Sequence, residues 1–296
     1  MRASISTGMG GGPMSNPWPG SGFVIMGVVN VTPDSFSDGG RYLDAQAAIE
    51  HGLQLEAEGA GVLDIGGEST RPGAAPVPEE EELRRVIPVI EGLIERGGGA
   101  RISIDTSKAA VAARALEAGA TLVNDVTALR GDPEMAGVIA AAGAVCCLMH
   151  MLGDPRTMQR DPHYDDVVND IKAFLVERMA FATRAGIAAE RILLDPGIGF
   201  GKTVAHNVEL LRRLDEFLDF GRPVVIGTSR KSFLGRLTGR DAPGDRLAAT
   251  VATNVLAYER GARVFRVHDV APVRDALTVT AATVSAPWTT PTSTTR

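Results

Sequence analysis

The chain has 296 residues, of which 44% are hydrophobic and 22% are charged, and its formal net charge is −6. This length suits one large α/β domain or two small ones with a substantial core, and the negative charge gives no support to nucleic acid or an anionic membrane as a partner. The two cysteines, Cys146 and Cys147, are adjacent in an apolar run. We therefore expect buried thiols in a reducing compartment rather than a disulfide.

The two ends of the chain differ in composition from the rest. Residues 1–22 are rich in Gly, Ser and Pro and lack the apolar segment of a signal peptide, which predicts a flexible leader. Residues 283–296 are predicted to form a disordered tail. No apolar run is long enough to span a bilayer. We therefore expect a cytoplasmic protein with one domain over residues 23–282.

A phrase recurs along the chain: a helical pattern, a Gly, a short apolar run and a polar residue. Clear copies are "LEAEGAGVLDIGGE" (55–68), "LEAGATLVNDV" (116–126) and "YERGARVFRVHD" (258–269). The Gly suits the end of a helix, and the apolar run suits a strand that is buried on both faces. Repeats of this kind predict βα units and a parallel sheet.

Eight strands are predicted in chain order, at 23–29, 61–65, 101–105, 121–124, 144–149, 191–195, 223–228 and 263–267. Amphipathic stretches between them predict helices, for example at 44–58, 79–96, 108–118, 165–185 and 245–260. The glutamates at 79–82 are expected to form a solvated first helical turn, where their charge suits the helix dipole. Eight such units predict an α/β fold of the (β/α)₈ TIM-barrel class. A doubly wound open sheet is the weaker alternative, because no G-x-G-x-x-G follows the first strand.

Polar residues collect where the predicted strands end, which is where such barrels place their active sites. An acceptor-rich group consists of Asp105, Asn124 and Asp195. A donor-rich group consists of Lys231, Arg266, His268 and Asn30. Carboxylates can bind the guanidine-like edge of a flat heterocycle, and the cations can bind phosphate or pyrophosphate. The pattern predicts a ligand with a planar, nitrogen-rich head and a phosphorylated tail, although Asp105 could instead cap a helix and Asp195 could belong to a simple turn.

The stretch "GIGFGKT" (197–203) resembles a nucleotide-binding P-loop but lacks its first glycine. The motif G-x-x-x-x-G-K-[ST] requires Gly five residues before Gly201, and that position is Pro196. We interpret the stretch as a loop whose glycines let the chain turn sharply beside Asp195. No zinc motif or nucleophile elbow is visible in the sequence. A Mg²⁺ ion held by few protein oxygens and by ligand phosphates is compatible with it.

Eight motifs in order carry a resemblance to one family: "MGVVNVTPDSFSDGG" (26–40), "DIGGESTRPGA" (64–74), "SIDT" (103–106), "NDV" (124–126), "MH" (149–150), "LDPGIGFGKT" (194–203), "GTSRKSFLG" (227–235) and "RVHDV" (266–270). Over about residues 24–280 the chain closely resembles dihydropteroate synthases of bacterial folate synthesis. The resemblance implies a barrel enzyme that joins a dihydropterin pyrophosphate to p-aminobenzoate by an SN1-like loss of pyrophosphate. A non-catalytic pterin-binding relative and a corrinoid-type pterin methyltransferase domain are the alternatives.

The resemblance also implies roles for individual residues. The pterin-binding residues would be Asp105, Asn124, Asp195 and Lys231. The diphosphate-binding residues would be Thr70, Arg266, His268 and Asn30, with Asn30 also the ligand of Mg²⁺. The residues on the aminobenzoate side would be Asp34, Phe36, Arg71, Pro72 and Ser232. We expect the most direct catalytic contributions from Asp34, Asp105, Lys231 and Arg266. A homodimer packed through helices of the C-terminal half and inhibition by sulfonamides are implied by the same resemblance.

Overall fold

A computed structural model describes residues 22–32, 41–70 and 73–284, with side chains from residue 45 onward in the second range. Eight parallel strands follow one another along the chain: β1 (Val24–Asn30), β2 (Val62–Gly66), β3 (Arg101–Asp105), β4 (Leu122–Asp125), β5 (Val145–Met149), β6 (Ile192–Asp195), β7 (Val225–Ile226) and β8 (Val264–Val267). Their spatial order is β6-β5-β4-β3-β2-β1-β8-β7. A parallel bridge between Leu194 and Val224 joins the two end strands. The fold is therefore the predicted (β/α)₈ barrel, and the open-sheet alternative is wrong.

Nine helices connect and surround the strands of the described ranges: α1 (Arg41–Ala57), α2 (Glu79–Glu95), α3 (Ala109–Glu117), α4 (Met135–Ala142), α5 (Val167–Arg184), α6 (Val204–Arg212), α7 (Ser232–Thr238), α8 (Leu247–Glu259) and α9 (Val270–Val284). The five helical stretches named from the sequence are confirmed with small shifts at their ends. Of the helices that can be described, none is long and apolar enough to cross a membrane. The predicted leader and most of the predicted tail lie outside the described residues.

The strand β7 is much shorter than its predicted range of 223–228. Pro223 has no backbone N–H to donate to a neighbouring strand, so it contributes only its carbonyl, which accepts from the N–H of Leu194 at 3.1 Å. Beyond Ile226 the chain leaves the sheet and soon reaches Arg230, whose φ is +57°. The prediction was too long because Pro223 at one end and Gly227 and Thr228 at the other do not join the paired strand.

Alternate residues of each strand face the inside and the outside of the barrel. The two cysteines show this: Cys146 belongs to the core between sheet and helices, and Cys147 to the inner cluster, as expected for neighbours on a strand. The inner cluster consists of Met26, Val62, Leu122, Val145, Cys147, Leu193, Val225 and Val264. Two residues further along β2, β4, β6 and β8 the inward positions are polar, at Asp64, Asn124, Asp195 and Arg266. The barrel is thus filled by apolar side chains at the bottom and by polar ones near its C-terminal end.

Candidate active site

Polar side chains from four strands form a floor across the upper barrel. Arg266 on β8 donates from Nε to Asp64 Oδ2 at 2.6 Å and from Nη2 to Asp105 Oδ2 at 2.7 Å. Asn124 on β4 donates from Nδ2 to Asp64 Oδ2 at 3.0 Å. All three acidic and amide groups are at least nine-tenths buried. The barrel therefore brings together Asp105, Asn124 and Arg266, which lie far apart in the sequence.

The glycine-rich loop after β6 brings Asp195 and Lys231 to the same side of the floor. Asp195 ends β6 and accepts a 2.7 Å hydrogen bond from the N–H of Gly197, whose φ is +69°. Lys231 donates from Nζ to the carbonyl of Ile198 in this loop. A Cβ on Gly199 would lie 2.8 Å from Lys231 Cδ, and the backbone φ of +83° also favours glycine at this position. Asp195 does form a turn, which was the alternative role predicted for it. Its carboxyl is also buried and lies close enough to Lys231 for the lysine charge to act on its pKa.

A second contact ties the same loop to the end of β5. Lys202, the residue that made the loop look like a P-loop, is only 3% exposed. Its Nζ lies 3.0 Å from Nδ1 of His150 and donates to the carbonyl of Phe200 at 2.9 Å. Burial, with Lys202 nearby, lowers the pKa of His150 to about 2. His150 is consequently a neutral acceptor, and Lys202 ties the loop to the end of β5.

Burial shifts the ionisation of the floor. It raises the pKa of Asp105 to about 7, an effect that Arg266 opposes and Asp64 reinforces. It raises the pKa of Asp195 against the attraction of Lys231, and it lowers the pKa of Lys231 to about 8 against the attraction of Asp195. Burial also works against the charge of Arg266, but Asp64 and Asp105 raise its pKa. The floor thus holds titratable groups whose charge a bound ligand can change, which is typical of active sites.

Replacing Asp105 by asparagine is expected to flatten the pH dependence of stability. Burial raises the pKa of this carboxyl from 3.8 to about 7, so the folded state binds the proton more tightly than the unfolded state. Its contribution to stability is complete below about pH 4 and is lost as the pH rises through about 7. Urea unfolding between about pH 5 and about pH 8 should show this decline in the wild type but not in Asp105→Asn. Parallel curves for the two chains would contradict the assignment.

The other predicted site residues of the described part lie at strand ends around the floor. Asn30 is the half-buried last residue of β1, and Ser232 is exposed at the start of α7. Thr70 follows β2 and lines a cavity of about 190 Å³ together with Asp105. His268 follows β8, and its Nδ1 lies 3.0 Å from Ser229 Oγ. Asp34, Phe36, Arg71 and Pro72 lie outside the described residues, so their placement stays a prediction.

The expectation of a solvated turn at 79–82 is wrong for Glu82. Its side chain is 1% exposed and binds Lys108, which also binds Glu68. Helical periodicity could have shown this, because Glu82 shares a buried face of α2 with Val86 and Val89. The three-residue cluster of Glu68, Glu82 and Lys108 supports the segment after β2 on which Thr70 lies.

Sequence reasoning also gave no role to Asp64, which is fully buried inside the barrel. Its position on β2, two residues after Val62, indicates that its side chain points into the barrel. Leu63 and Ile65 belong to the core beneath the helices, whereas Val62 belongs to the inner cluster. By alternation, Asp64 must point inward beside Val62. A charged residue at such a position requires partners, and these partners turn out to be residues of the predicted site.

Known proteins share both the sequence and the fold of this chain. The family model described as pterin binding enzyme matches residues 26–268. A dihydropteroate synthase of Escherichia coli is 47% identical over 262 residues, which cover 88% of this chain and 92% of that protein. The structure of Xanthomonas albilineans dihydropteroate synthase with 4-aminobenzoic acid has a TM-score of 0.85 at 52% identity and covers 90% of this chain and 95% of its own. The structure from the same organism with 7,8-dihydropteroate has a TM-score of 0.82 at 48% identity, with coverages of 93% and 97%.

Proposed function

The chain belongs to the pterin binding enzymes and, within them, to the dihydropteroate synthases, and we propose that its polar floor and the surrounding strand ends form the transferase site. The reaction joins 6-hydroxymethyl-7,8-dihydropterin pyrophosphate to p-aminobenzoate and yields 7,8-dihydropteroate and pyrophosphate. One observation carries the assignment of the site: acceptors from β3, β4 and β6 meet the cations Lys231 and Arg266 at one end of the barrel.

The proposed pterin site uses the buried acceptors of the floor. The 2-amino and N3 edge of a pterin is guanidine-like, so Asp195 can accept two parallel N–H···O bonds from it. Asp105 and Asn124 offer further acceptors to the ring N–H groups, and Lys231 offers a donor to the ring's acceptor atoms. Such buried groups favour a ligand that pairs with all of them, because an unpaired one costs about 1–3 kcal/mol.

The proposed chemistry requires no side-chain nucleophile. The bond between the pterin methylene carbon and the pyrophosphate oxygen breaks, and its electron pair leaves with pyrophosphate. Arg266, His268 and Thr70 would bind the leaving anion, while the carboxylates of Asp105 and Asp195 stabilise the methylene cation that remains. The aniline nitrogen of p-aminobenzoate then forms the new C–N bond and releases a proton.

The aminobenzoate side is proposed from two sequence segments and one helix. Asp34 and Phe36 follow β1 in the sequence, and Arg71 and Pro72 follow β2. Closure of both segments over the floor, next to Ser232, would exclude water from the reactive cation. Asp34 would then lie close enough to take part in the chemical step.

We propose that Asn30 supplies one oxygen to a Mg²⁺ ion. The described residues contain no group of three or more His, Cys, Asp and Glu side chains that could enclose a metal. Asn30, half-buried at the end of β1, fits the habit of Mg²⁺ to take few protein ligands and to complete its shell with phosphate oxygens and water. When bound, the ion would neutralise charge on the leaving pyrophosphate.

Removal of Mg²⁺ is expected to lower kcat/KM by about a hundredfold, because the leaving anion loses a counter-charge. Pyrophosphate release should be followed with EDTA and then with excess Mg²⁺, which should restore the rate. Pterin binding by the floor should persist in EDTA. A full rate in EDTA would remove the metal from the proposal.

The proposed function is tested by mixing the protein with dihydropterin pyrophosphate, p-aminobenzoate and Mg²⁺. Equal amounts of pyrophosphate and dihydropteroate should appear, and neither should form without the other. Pterin binding with no product would favour a non-catalytic pterin-binding protein. Methyl transfer from a methylated pterin to a corrinoid would favour the methyltransferase alternative.

We also propose that the protein is a cytoplasmic homodimer. Three leucines on or near the helices of the C-terminal half support the dimer: Leu237 on α7 and Leu247 and Leu256 on α8 are 56%, 37% and 42% exposed. Exposed apolar side chains on these helices are the kind of residue that a subunit interface would cover. A monomeric mass in analytical ultracentrifugation at micromolar concentration would contradict the dimer.

A further inference from the structure

Asp64 is the common acceptor of the floor. It is fully buried and accepts from Ser103 Oγ at 2.5 Å, from Asn124 Nδ2 at 3.0 Å and from Arg266 Nε at 2.6 Å. The donors come from β3, β4 and β8, so one carboxylate connects three strands. The short hydroxyl contact is typical of a charge-assisted hydrogen bond.

Asp64 is less accessible than the two partners that it shares with the proposed pterin site. It is fully buried, whereas Asn124 keeps 5% exposure and the side chain of Arg266 is 23% exposed. The three residues each lie two positions after an inner-cluster residue of β2, β4 or β8, so they form one layer across the barrel. A ligand at the open end of the barrel would contact Asn124 and Arg266 and not the covered Asp64 carboxylate.

The contact with Asp64 decides which end of the Asn124 amide faces the ligand. An asparagine amide has a donor end and an acceptor end. A carboxylate that already accepts from a guanidinium and a hydroxyl can only accept, so Asn124 must direct its NH₂ group toward Asp64. Its oxygen is then left for the ligand, beside the carboxylates of Asp105 and Asp195.

We propose that Asp64 is a positioning residue for pterin recognition, which makes the floor uniformly accepting by orienting the Asn124 amide and by holding Arg266 against Asp105. The inference rests on the proposed role of Asn124 in pterin binding. It adds a specificity-determining group that does not touch the substrate. Asp64 selects N–H-rich heterocycles by excluding the donor end of Asn124 from the site.

The test is the ability of Asp64→Asn to discriminate between two ligands. One is 6-hydroxymethyl-7,8-dihydropterin, and the other is its lumazine counterpart, in which oxygen replaces the 2-amino group. That amino group has two N–H bonds, one for Asp195 and a second that would donate to the Asn124 oxygen. An amide at position 64 can donate as well as accept, so it can donate to the Asn124 oxygen. The NH₂ group of Asn124 is then free to face the ligand. We expect the preference for the pterin, measured by calorimetry, to narrow by about tenfold, which is the value of one hydrogen bond.

Two further variants separate positioning from loss of stability. Asp125→Asn removes another fully buried carboxylate, whose partners are Thr127 and the N–H of Leu129 outside the barrel. It should lower stability and leave the ligand preference as it is. In the double variant Asp64→Asn with Asn124→Asp, the amide at position 64 donates to the carboxylate at position 124. The second carboxylate oxygen at position 124 then faces the ligand, as the Asn124 oxygen does in the wild type. The double variant should fold and restore the wild-type preference even if Asp64→Asn alone does not fold.

Equal weakening of both ligands in Asp64→Asn, or a double variant that folds without restoring the preference, would overturn the inference. In either case the wild type would still bind the pterin, and the proposed function would stand. A wild-type chain that binds neither ligand would overturn both.

Discussion

Asp195→Ala is expected to lower kcat/KM by about a thousandfold, through weaker pterin binding. The carboxyl is 6% exposed, and a bidentate, charge-assisted contact in a buried site is worth about 4 kcal/mol in all. The melting temperature should change little, because burial raises the pKa of this carboxyl and so already opposes its charged form. Steady-state kinetics and calorimetric titration with the pterin would measure both effects.

The matched control for this variant is Asp219→Ala. Asp219 also belongs to the second half of the barrel, but its side chain is 74% exposed and pairs with Lys172 on the outer surface. Exposed pairs of this kind contribute at most about 1 kcal/mol, so activity should match the wild type. If Asp195→Ala retains activity to within about tenfold, Asp195 is only the turn residue that its bond to Gly197 suggests.

Gly197→Ala is expected to lower the free energy of unfolding by more than about 3 kcal/mol or to prevent folding. A Cβ at this position would overlap the carbonyl oxygen of His150 and would lie 2.9 Å from its carbonyl carbon. The backbone φ of +69° adds a left-handed penalty of about 1–2 kcal/mol for any residue with a Cβ. Urea unfolding monitored by circular dichroism would measure the loss.

Gly221→Ala separates the two penalties. Gly221 has a φ of +60°, but a Cβ there would meet nothing within 4 Å. It should therefore show only the left-handed penalty of about 1–2 kcal/mol. Equal losses in the two variants would mean that the loop after β6 can move away from His150, and that its glycines do not fix the position of Asp195.

The barrel and most of its floor could be predicted from the sequence for one physical reason. Parallel strands joined by helices place all their C-terminal ends on one side, so polar residues at or next to those ends, such as Asp105 and Asn124, must converge. The polar residue after each apolar run was therefore enough to find them without any knowledge of the strand order.

Asp64 also stands near the end of its predicted strand, but its role could not be predicted in this way. Strands buried on both faces show no alternation of apolar and polar residues, so the inward set could be recognised only after the inner cluster was known. The pairing of Lys202 with His150 depends on how a loop folds back over a neighbouring strand, which no local pattern encodes. Glu82 is a different case. The helical periodicity of α2 places it on the buried face, but it was predicted to be solvated because it belongs to a run of four glutamates.

The closure of the barrel has a consequence for how substrate and fold depend on one another. The strands β1 and β2 pair through five residues each, whereas β6 meets β7 only at the bridge of Leu194 and Val224. Asp195 ends the strand on one side of this seam, and Lys231 follows the strand on the other. A pterin bound to both Asp195 and Lys231 would span this seam. It would add non-covalent contacts between two strands that share few backbone hydrogen bonds. Ligand binding and barrel closure are then thermodynamically linked, so the substrate would slow amide exchange in β7 more than in β1.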